Sequence, residues 1–286
     1  MRYEAPSSIE GAVKLLAAEA GMARVLAGGT DLLVQLRSGR FEPDLIVDLK
    51  RIDGMHDIRK ENGGYRIGAA VSGAELNEHA GLIALWPGVV EAAGLIGSTQ
   101  VQGRATMSGN LCNASPAADS VPALIAAGAL ARIAGPEGER DVPVEEVPTG
   151  PGKTSLKKGE FVTSLFLPGR PPHSGDAYLR FIPRTEMDIA VVGSGVSLSL
   201  DDDGRVASAR VALGAVAAQV LLVEEAAAAI IGTSLEAAAL EKLAKAASAA
   251  CRPIDDKRGT KEFRIKVAGV LTRRAALIAY ERARAK

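Results

Sequence analysis

Arg104-Ala-Thr-Met-Ser-Gly-Asn-Leu-Cys-Asn-Ala-Ser-Pro-Ala-Ala-Asp119 is a run of small, mostly polar residues within an otherwise apolar part of the chain. Its short hydrogen-bonding side chains are Thr106, Ser108, Asn110, Asn113 and Ser115. Gly109 allows a close backbone approach, and Pro116 interrupts any regular ladder. The flanking segments Gly94–Gly97 and Val121–Ile125 are apolar, so we expect both to be buried. The run is therefore predicted to be an ordered loop that lies against a polar partner.

A second glycine turn lies far upstream, in Val25-Leu-Ala-Gly-Gly-Thr-Asp-Leu-Leu33. A short apolar strand leads into Gly28 and Gly29, and Thr30 or Asp31 can cap the helical turn that follows. Backbone N–H groups exposed at a glycine turn and at a helix start suit a phosphate. Either turn alone would more often be a simple connection between a strand and a helix, without a ligand. Together they predict two loops that hold the two phosphates of one dinucleotide.

Composition excludes several classes of protein. The 286 residues predict two domains, and 34 basic against 34 acidic residues argue against binding nucleic acid or a membrane surface through bulk charge. No run approaches the roughly 20 apolar residues of a membrane span, and the N-terminus lacks the apolar core of a signal peptide. Cys112 and Cys251 make no disulfide framework, indicate a reducing cytoplasm, and are too few for four-cysteine iron–sulfur ligation. The three dispersed histidines have no metal-ligand spacing, so we expect no metal site.

The periodicity of apolar residues predicts an α+β fold. The expected strands are Val25–Ala27, Pro43–Leu49, Tyr65–Val71, Ala129–Ala134, Phe161–Leu167, Ala177–Ile182, Ile189–Leu200 and Val206–Leu213. The expected helices are Ala12–Ala18 after a Ser7–Glu10 capping box, a short one ending near Arg37, one after Ser72, Leu82–Gly97 after Pro87, Asp119–Ala127, Glu224–Ile231, Leu235–Ala250 and Lys266–Ala285. Two Pro- and Gly-rich linkers, 147–152 and 168–175, separate these elements, and the second is the main predicted boundary.

Other motifs indicate no reaction of their own. Gly150-Pro-Gly-Lys-Thr154 resembles half a P-loop, but Val147 stands where the pattern needs glycine, so we interpret it as a turn with a solvated lysine. No Rossmann glycine pattern follows a strand. Cys112 is more typical of a small buried filler than of a reactive thiol. Arg184–Asp188 fits a surface ion pair as well as a loop facing a cofactor or partner. No catalytic side chain is nominated, so any chemistry is expected from a cofactor.

Several of these motifs recur in a fixed order along essentially the whole chain. They are the Tyr3, Pro6, Ser8, Ala12 pattern, Ala27–Leu33, Thr106–Leu111 with Asp119, Gly150–Thr154, Met187-Asp-Ile-Ala190 and Leu213-Gly214. With this ordered set the sequence resembles the FAD-binding medium subunit of the molybdenum hydroxylases, the flavoprotein family of xanthine dehydrogenase and aerobic carbon monoxide dehydrogenase.

The resemblance implies a fold and a set of site residues. Residues 1–170 would form an FAD-binding domain of the vanillyl-alcohol-oxidase (PCMH) type with subdomains of approximately 1–55 and 56–170, and 171–286 a smaller C-terminal α+β domain with an antiparallel sheet and helices. The first loop around the pyrophosphate would be Leu26, Ala27, Gly28, Gly29, Thr30, Asp31 and Leu32, and the second Thr106, Ser108, Gly109 and Asn110. Asp119 matches a position on the adenosine side, Ile96 and Val162 match positions that pack on the cofactor, and Arg180 matches a basic residue near the flavin. Neither loop has a histidine, so FAD is expected to be non-covalent.

Three departures from the family pattern bear on the site. Ser108 stands where the family usually has glycine; if that position needs a positive φ the serine is strained by about 1 kcal/mol, and otherwise its hydroxyl can contact phosphate. Gln100–Gly103 replaces the usual Gln-x-Arg-Asn, and Arg104 is the candidate replacement for the lost cation. Thr30 and Asp31 stand where the carbon monoxide members carry His-Ser, which argues against carbon monoxide as the substrate.

The implied function is electron transfer. A large molybdopterin-binding subunit and a small subunit with two [2Fe–2S] clusters would complete a heterotrimer or a dimer of heterotrimers, and FAD on this chain would pass electrons to an external acceptor. The alternatives are a self-contained flavin oxidase or reductase on the same fold, or a scaffold that has lost FAD. The hydroxylated substrate, and the choice of NAD, quinone or oxygen as acceptor, stay open.

Overall fold

The computed structural model of the chain describes residues 1–285; Lys286, the last residue of the predicted C-terminal domain, lies outside them. The strands are β1 Arg2–Glu4, β2 Ala23–Leu26, β3 Leu45–Asp48, β4 Ile58–Glu61, β5 Gly64–Gly68, β6 Leu130–Gly135, β7 Gly138–Pro143, β8 Pro148–Gly150, β9 Lys153–Thr154, β10 Phe161–Leu167, β11 Ser174–Phe181, β12 Val192–Leu200, β13 Val206–Gly214 and β14 Leu221–Leu222. The helices are α1 Ile9–Ala18, α2 Leu32–Arg37, α3 Gly73–Glu78, α4 Ala80–Leu85, α5 Pro87–Ala93, α6 Thr99–Gln102, α7 Met107–Cys112, α8 Ser120–Ala126, α9 Glu224–Ala228, α10 Ala237–Ala250 and α11 Lys261–Arg284.

The N-terminal layer is a small parallel sheet in the order β1-β3-β2. Its central strand β3 is buried along its whole length, and α1 packs on the same core through Ala12 and Leu16. Because β2 and β3 are parallel, their carboxyl ends meet at one edge of the sheet. The Gly28–Gly29 turn follows β2 at that edge, which is where open parallel sheets usually bind ligands.

The middle of the chain is a five-stranded antiparallel sheet, β4-β5-β10-β6-β7, covered by the helices from α3 to α8. Its core contains the fully buried Leu111, Leu124, Ile133 and Leu165. Leu111 belongs to the polar run quoted above, so this core fixes the position of that run against the sheet.

The C-terminal part is the four-stranded antiparallel sheet β11-β12-β13-β14 with α10 and α11. Helix α11 lies close to β11, since a Cβ on Gly175 would be 1.9 Å from the carbonyl oxygen of Ala279. The hairpin predicted around residues 201–204 is confirmed as β12 and β13. The α+β prediction, with an antiparallel C-terminal sheet and helices, is confirmed as well.

Several sequence predictions need correction. The polar run is not one loop, because α7 forms within it and buries Met107 and Leu111. The helix predicted over Leu82–Gly97 breaks at Trp86, where the following Pro87 starts a new helix, α5. The Ser7–Glu10 capping box is wrong by one residue, since the N-cap of α1 is Ser8, which accepts from Gly11 N. Helix α11 starts five residues earlier than predicted, at Lys261, because Thr260 caps it.

Boundary errors elsewhere have simpler causes. The strand predicted over Ile189–Leu200 begins only at Val192, and the linker predicted over 147–152 carries β8. The short strands β1, β4, β7, β9 and β14 were not predicted, since two to six residues give too little periodicity to detect.

Candidate functional site

A cavity with a volume of about 590 Å³ lies beside the first glycine turn, and we call it the main cavity. Three parts of the chain supply most of its walls: the N-terminal layer with the first glycine turn, the segment around α7, and residues 152–162 before and within β10. Ala69 and Ile96 complete the lining. Its size is well inside the range of small-molecule and cofactor sites. Twelve of the fifteen sequence-predicted site residues line it, namely Ala27, Gly28, Gly29, Thr30, Asp31, Leu32, Ile96, Thr106, Ser108, Gly109, Asn110 and Val162.

The first glycine turn can only be built from glycine. A Cβ on Gly28 would lie 1.8 Å from the carbonyl oxygen of Arg104, so the two predicted loops touch backbone to backbone. Gly29 has a φ of +83°, which side chains rarely adopt, and its carbonyl accepts from Leu33 N at 3.0 Å to start α2. Asp31 occupies the N-cap position of α2, but its side chain makes no capping hydrogen bond.

The second predicted loop is the start of helix α7. Thr106 is its N-cap, and the Oγ1 atom accepts from Gly109 N at 2.9 Å. Ser108 is buried in the first turn of this helix and is not among the residues of the described chain with positive φ. The condition for strain at this serine, a positive φ, is therefore not met. Ser108 lines the main cavity, and the predicted contact of its hydroxyl with phosphate stays a prediction.

Asn110 connects the wall of the cavity to the next helix. Its Oδ1 accepts from Ser120 N at 3.1 Å and from Ser120 Oγ at 2.7 Å, which ties α7 to the start of α8. Ser120 is fully buried, so each donor would be unsatisfied without the amide. This side chain is held in place by buried hydrogen bonds, whereas the first turn is held by its backbone.

Exposed cations surround the opening of the main cavity, and the sequence analysis missed them. Lys157 and Lys158 line it, as do Arg40 and Arg24, whose guanidinium lies 4.7 Å from the centre of the Phe41 ring. The signal that could have revealed them is Lys157-Lys158-Gly159, a basic pair beside a glycine just before β10. Glu160, the acid beside them, is paired with Arg140 at 2.5 Å, so it does not cancel these lysines.

Three predicted site residues do not line the main cavity. Leu26 packs behind the first turn, where a Cβ on Gly29 would meet its Cδ1 at 2.8 Å. Asp119 and Arg180 form a buried ion pair with a distance of 3.0 Å, and Tyr178 donates to the same carboxylate at 3.5 Å. Burial raises the pKa of Asp119 to about 6 even though Arg180 opposes the shift.

Cys112 also lines the main cavity. Burial raises the pKa of its thiol to about 12, so it stays protonated at neutral pH and is no nucleophile. This agrees with the prediction that the thiol is unreactive, although Cys112 is only half-buried and not the fully buried filler that was expected.

Two further motifs have structural explanations. Asp188 is ion-paired with Arg184 at 3.4 Å and with Arg258 at 3.2 Å, which is the surface ion pair interpretation. Gly150–Thr154 is a β8–β9 hairpin with an exposed Lys153, as the turn interpretation predicted. Gly152 and Thr154 of this hairpin line the main cavity.

These features suit a dinucleotide with a diphosphate. Residues of both backbone turns and several exposed cations line one cavity, and this combination suits two negative phosphates. Ile96, Val162 and Leu156 give the walls apolar surface for an aromatic ring system. The described residues include no group of three or more His, Cys, Asp or Glu that could hold a metal ion. None of their helices is long and apolar enough to cross a membrane.

Comparison with known proteins covers nearly the whole chain. Residues 1–170 match the family described as the FAD binding domain in molybdopterin dehydrogenase, and 177–279 the CO dehydrogenase flavoprotein C-terminal domain. The carbon monoxide dehydrogenase medium chain of Afipia carboxidovorans is 34% identical over 99% of this chain and 96% of that relative. The xanthine dehydrogenase FAD-binding subunit of Escherichia coli O157:H7 is 31% identical over 95% and 93%.

Solved structures give the same result. A chain of the cyanide-inactivated Cu,Mo-CO dehydrogenase matches with a TM-score of 0.94 and 34% identity over 99% of this chain and 98% of that one. A chain of quinoline 2-oxidoreductase from Pseudomonas putida 86 matches with a TM-score of 0.90 and 26% identity over the same shares. The backbone that shapes the main cavity is thus shared with oxidoreductases of different named substrates.

Proposed function

The chain belongs to the family of FAD-binding subunits of molybdopterin dehydrogenases, and from this we propose that it is the electron-transfer subunit of a molybdenum hydroxylase complex. It would receive electrons from the [2Fe–2S] clusters of a small partner subunit and deliver them to an external acceptor. A large partner subunit would hold the molybdenum cofactor and hydroxylate the substrate. The observation that carries this proposal is the convergence of two backbone turns on one cavity with cations at its opening.

The proposed roles follow from where each residue lies. The N–H groups of Gly28–Leu32 and of the start of α7 would bind the diphosphate, while Lys157 and Lys158 would neutralise it. Ile96 and Val162 would pack on the rings and exclude water. Bound FAD supplies the two-electron chemistry that no side chain here provides.

Three predicted site residues that do not line the main cavity would support the two turns from behind. They are Asp119, Arg180 and Leu26. Asp119 directly precedes Ser120, which holds the Asn110 amide at the cavity wall, and Arg180 fixes that carboxylate from β11. Leu26 supports the first turn from behind. Through these contacts the C-terminal sheet would set the position of the second turn.

Partners are required because this chain lacks the cysteines for a cluster. It has two cysteines, and the structure shows both as free thiols. We place the complex in the cytoplasm, where such thiols stay reduced. We also propose the domain boundary between residues 170 and 171, which the family matches at 1–170 and 177–279 support.

No observation favours a self-contained oxidase. The side chains lining the main cavity include no histidine, the Cys112 thiol is protonated, and Glu160 is paired with Arg140. The other acids that line it are Glu19, which is ion-paired with Arg2, and Asp31, which belongs to the turn proposed to bind the diphosphate. No side chain of the cavity is therefore assigned as a general base. The lost-FAD scaffold also loses its sequence support, since Ser108 has no positive φ.

The decisive experiment is to purify the full chain alone and with its co-purifying partners. We expect yellow protein whose flavin is released by denaturation as FAD at one per chain. The isolated chain should give no hydroxylation, and the complex should reduce the bound flavin when substrate is added. Protein that binds no FAD in titration would refute the proposal, and turnover by the isolated chain would favour the self-contained oxidase.

A further inference from the structure

A second cavity, of about 240 Å³, shares the Ala27–Gly28 backbone with the main cavity, and we call it the small cavity. The other residues that line the small cavity do not line the main cavity. They are Lys50, His56, Ala70, Ser72, Glu75, Gly103 and Arg104. Nothing in the proposed binding of FAD uses these side chains.

Three of the four ionisable side chains that line the small cavity are of basic residues. Lys50, Arg104 and His56 line it together with one acid, Glu75. The Glu75 carboxylate already has its own donors, because Ser72 N and Ser72 Oγ each donate to its Oε2 at 2.7 Å. That arrangement is a capping box at the start of α3, so this carboxylate is held in place by the helix; it keeps its negative charge and offsets one of the cations.

Two of these basic side chains have no partner of their own. Arg104 and His56 are exposed, and neither side chain makes a hydrogen bond or ion pair with the described residues. Lys50, by contrast, donates to Asp48 Oδ1 at 2.7 Å and to the carbonyl oxygen of Ala27 at 3.2 Å. Its ammonium is thus fixed on the wall that both cavities share.

We propose that the small cavity is a binding site for the phosphate or carboxylate group of a small anion, separate from the cofactor cavity. Arg104 supplies a guanidinium that can bind two oxygens at once, and Lys50 supplies a positioned point charge. The His56 imidazole adds a further N–H donor to the cavity, and such a donor suits an oxyanion.

The size of the small cavity limits what it can hold. At about 240 Å³ it lies below the usual lower limit of about 300 Å³ for pockets that enclose a drug-sized ligand, so it takes a single anionic group and not a dinucleotide. The single anionic group can be a free anion, or it can be the end of a longer molecule that extends into solvent.

The site is tested by calorimetric titration of inorganic phosphate into the FAD-loaded full chain at low ionic strength. We expect one saturable site with a Kd on the order of 1 mM, and no release of flavin. Arg104→Gln should weaken binding about tenfold, and added salt should weaken it too. Arg274→Gln is the matched control, because Arg274 is an exposed arginine on α11 that does not line either cavity.

An independent readout keeps the test separate from cofactor binding. The imidazole proton resonances of His56, assigned by loss in His56→Gln, should shift on phosphate addition in the parent chain and in Arg274→Gln. A chain without flavin would overturn the proposed function yet leave this measurement possible. If Arg104→Gln fails to fold, Lys50→Met replaces it, with the same expected weakening.

The two sources of the anion are distinguished by comparing inorganic phosphate, acetate and ADP on the FAD-loaded chain. Tenfold tighter binding of ADP would indicate the end of a nucleotide, and equal binding would indicate a free anion; either supports the site. Absence of saturable binding, equal binding by Arg104→Gln and the parent, or flavin release in proportion to phosphate would overturn the proposal.

Discussion

The two turns that meet at the main cavity are specified in different ways. The first depends on its backbone: Gly28 leaves no room for a Cβ, and Gly29 has a positive φ. The second depends on side chains: Thr106 caps α7, and Asn110 is held by Ser120. The first turn should therefore fail when any side chain is added, and the second when particular side chains are removed.

The largest effect should come from Gly28→Ala, because even a methyl group would lie 1.8 Å from the Arg104 carbonyl oxygen. The two turns must then separate. Overpacking of this kind costs about 1–3 kcal/mol, so we expect the melting temperature to fall by about 2–12 °C and FAD to be lost on gel filtration. Differential scanning fluorimetry and the flavin-to-protein absorbance ratio measure both.

The matched control is Gly73→Ala at the start of α3, where the new Cβ would find its nearest neighbours at an ordinary 3.5 Å. This variant should keep its flavin and its melting temperature. A flavin-replete Gly28→Ala protein of normal stability would show that backbone contact between the turns is not what holds the site.

Asp119, which lies behind the second turn, should make the free energy of unfolding depend on pH. Burial raises the pKa of Asp119 to about 6 despite Arg180, so the folded chain binds a proton at this site more tightly than the unfolded chain does. Its contribution is therefore fully present below the unfolded value near 3.9 and is lost as the pH rises through about 6.

The measurement compares urea unfolding of the parent and of Asp119→Asn from pH 4 to pH 7. Relative to the variant, which cannot titrate here, the parent should lose about 1 kcal/mol or more of unfolding free energy over that range. Parallel curves for the two proteins would mean that the Arg180 ion pair keeps the carboxylate charged throughout.

Sequence reasoning located the first turn better than the second. Gly28 and Gly29 follow a strand and have few alternative readings, so the pattern was sufficient. Helix α7 was not predicted because Ser108, Gly109 and Asn110 are poor helix formers. Its stability comes from the Thr106 cap and from Leu111 in the core.

Charged residues were the hardest to assign. Lys157 and Lys158 look like ordinary solvated lysines, and only the approach of β10 to the N-terminal layer makes them part of a cavity. Asp119 and Arg180 could be placed near the cofactor only through the family, and nothing in their spacing showed that they pair with each other. The roles of these charged residues depend on their positions in the fold, and the spacing of residues in the sequence does not encode those positions.

A smaller effect is expected from removing the cap of the second turn. Thr106→Ala deletes the Oγ1 that accepts from Gly109 N, and the loss of a threonine N-cap usually costs about 1 kcal/mol. Chemical denaturation should show that loss together with weaker FAD binding. Thr106→Ser is the control, since it keeps the oxygen; if it behaves like the alanine variant, the methyl group and not the cap stabilises the turn.

The smallest effect is expected from Ser108→Gly, which places the glycine that the family usually has in the second turn. This substitution distinguishes the two turns most directly. Ser108 lies in the first turn of α7 without a positive φ, so Ser108→Gly relieves no strain. Glycine instead increases the freedom of the unfolded chain, and we expect a loss of about 0.5 kcal/mol in chemical denaturation. If FAD affinity also falls by a few fold, the serine hydroxyl contacts the cofactor. Higher stability in the glycine variant would mean that the second turn, like the first, is specified by its backbone.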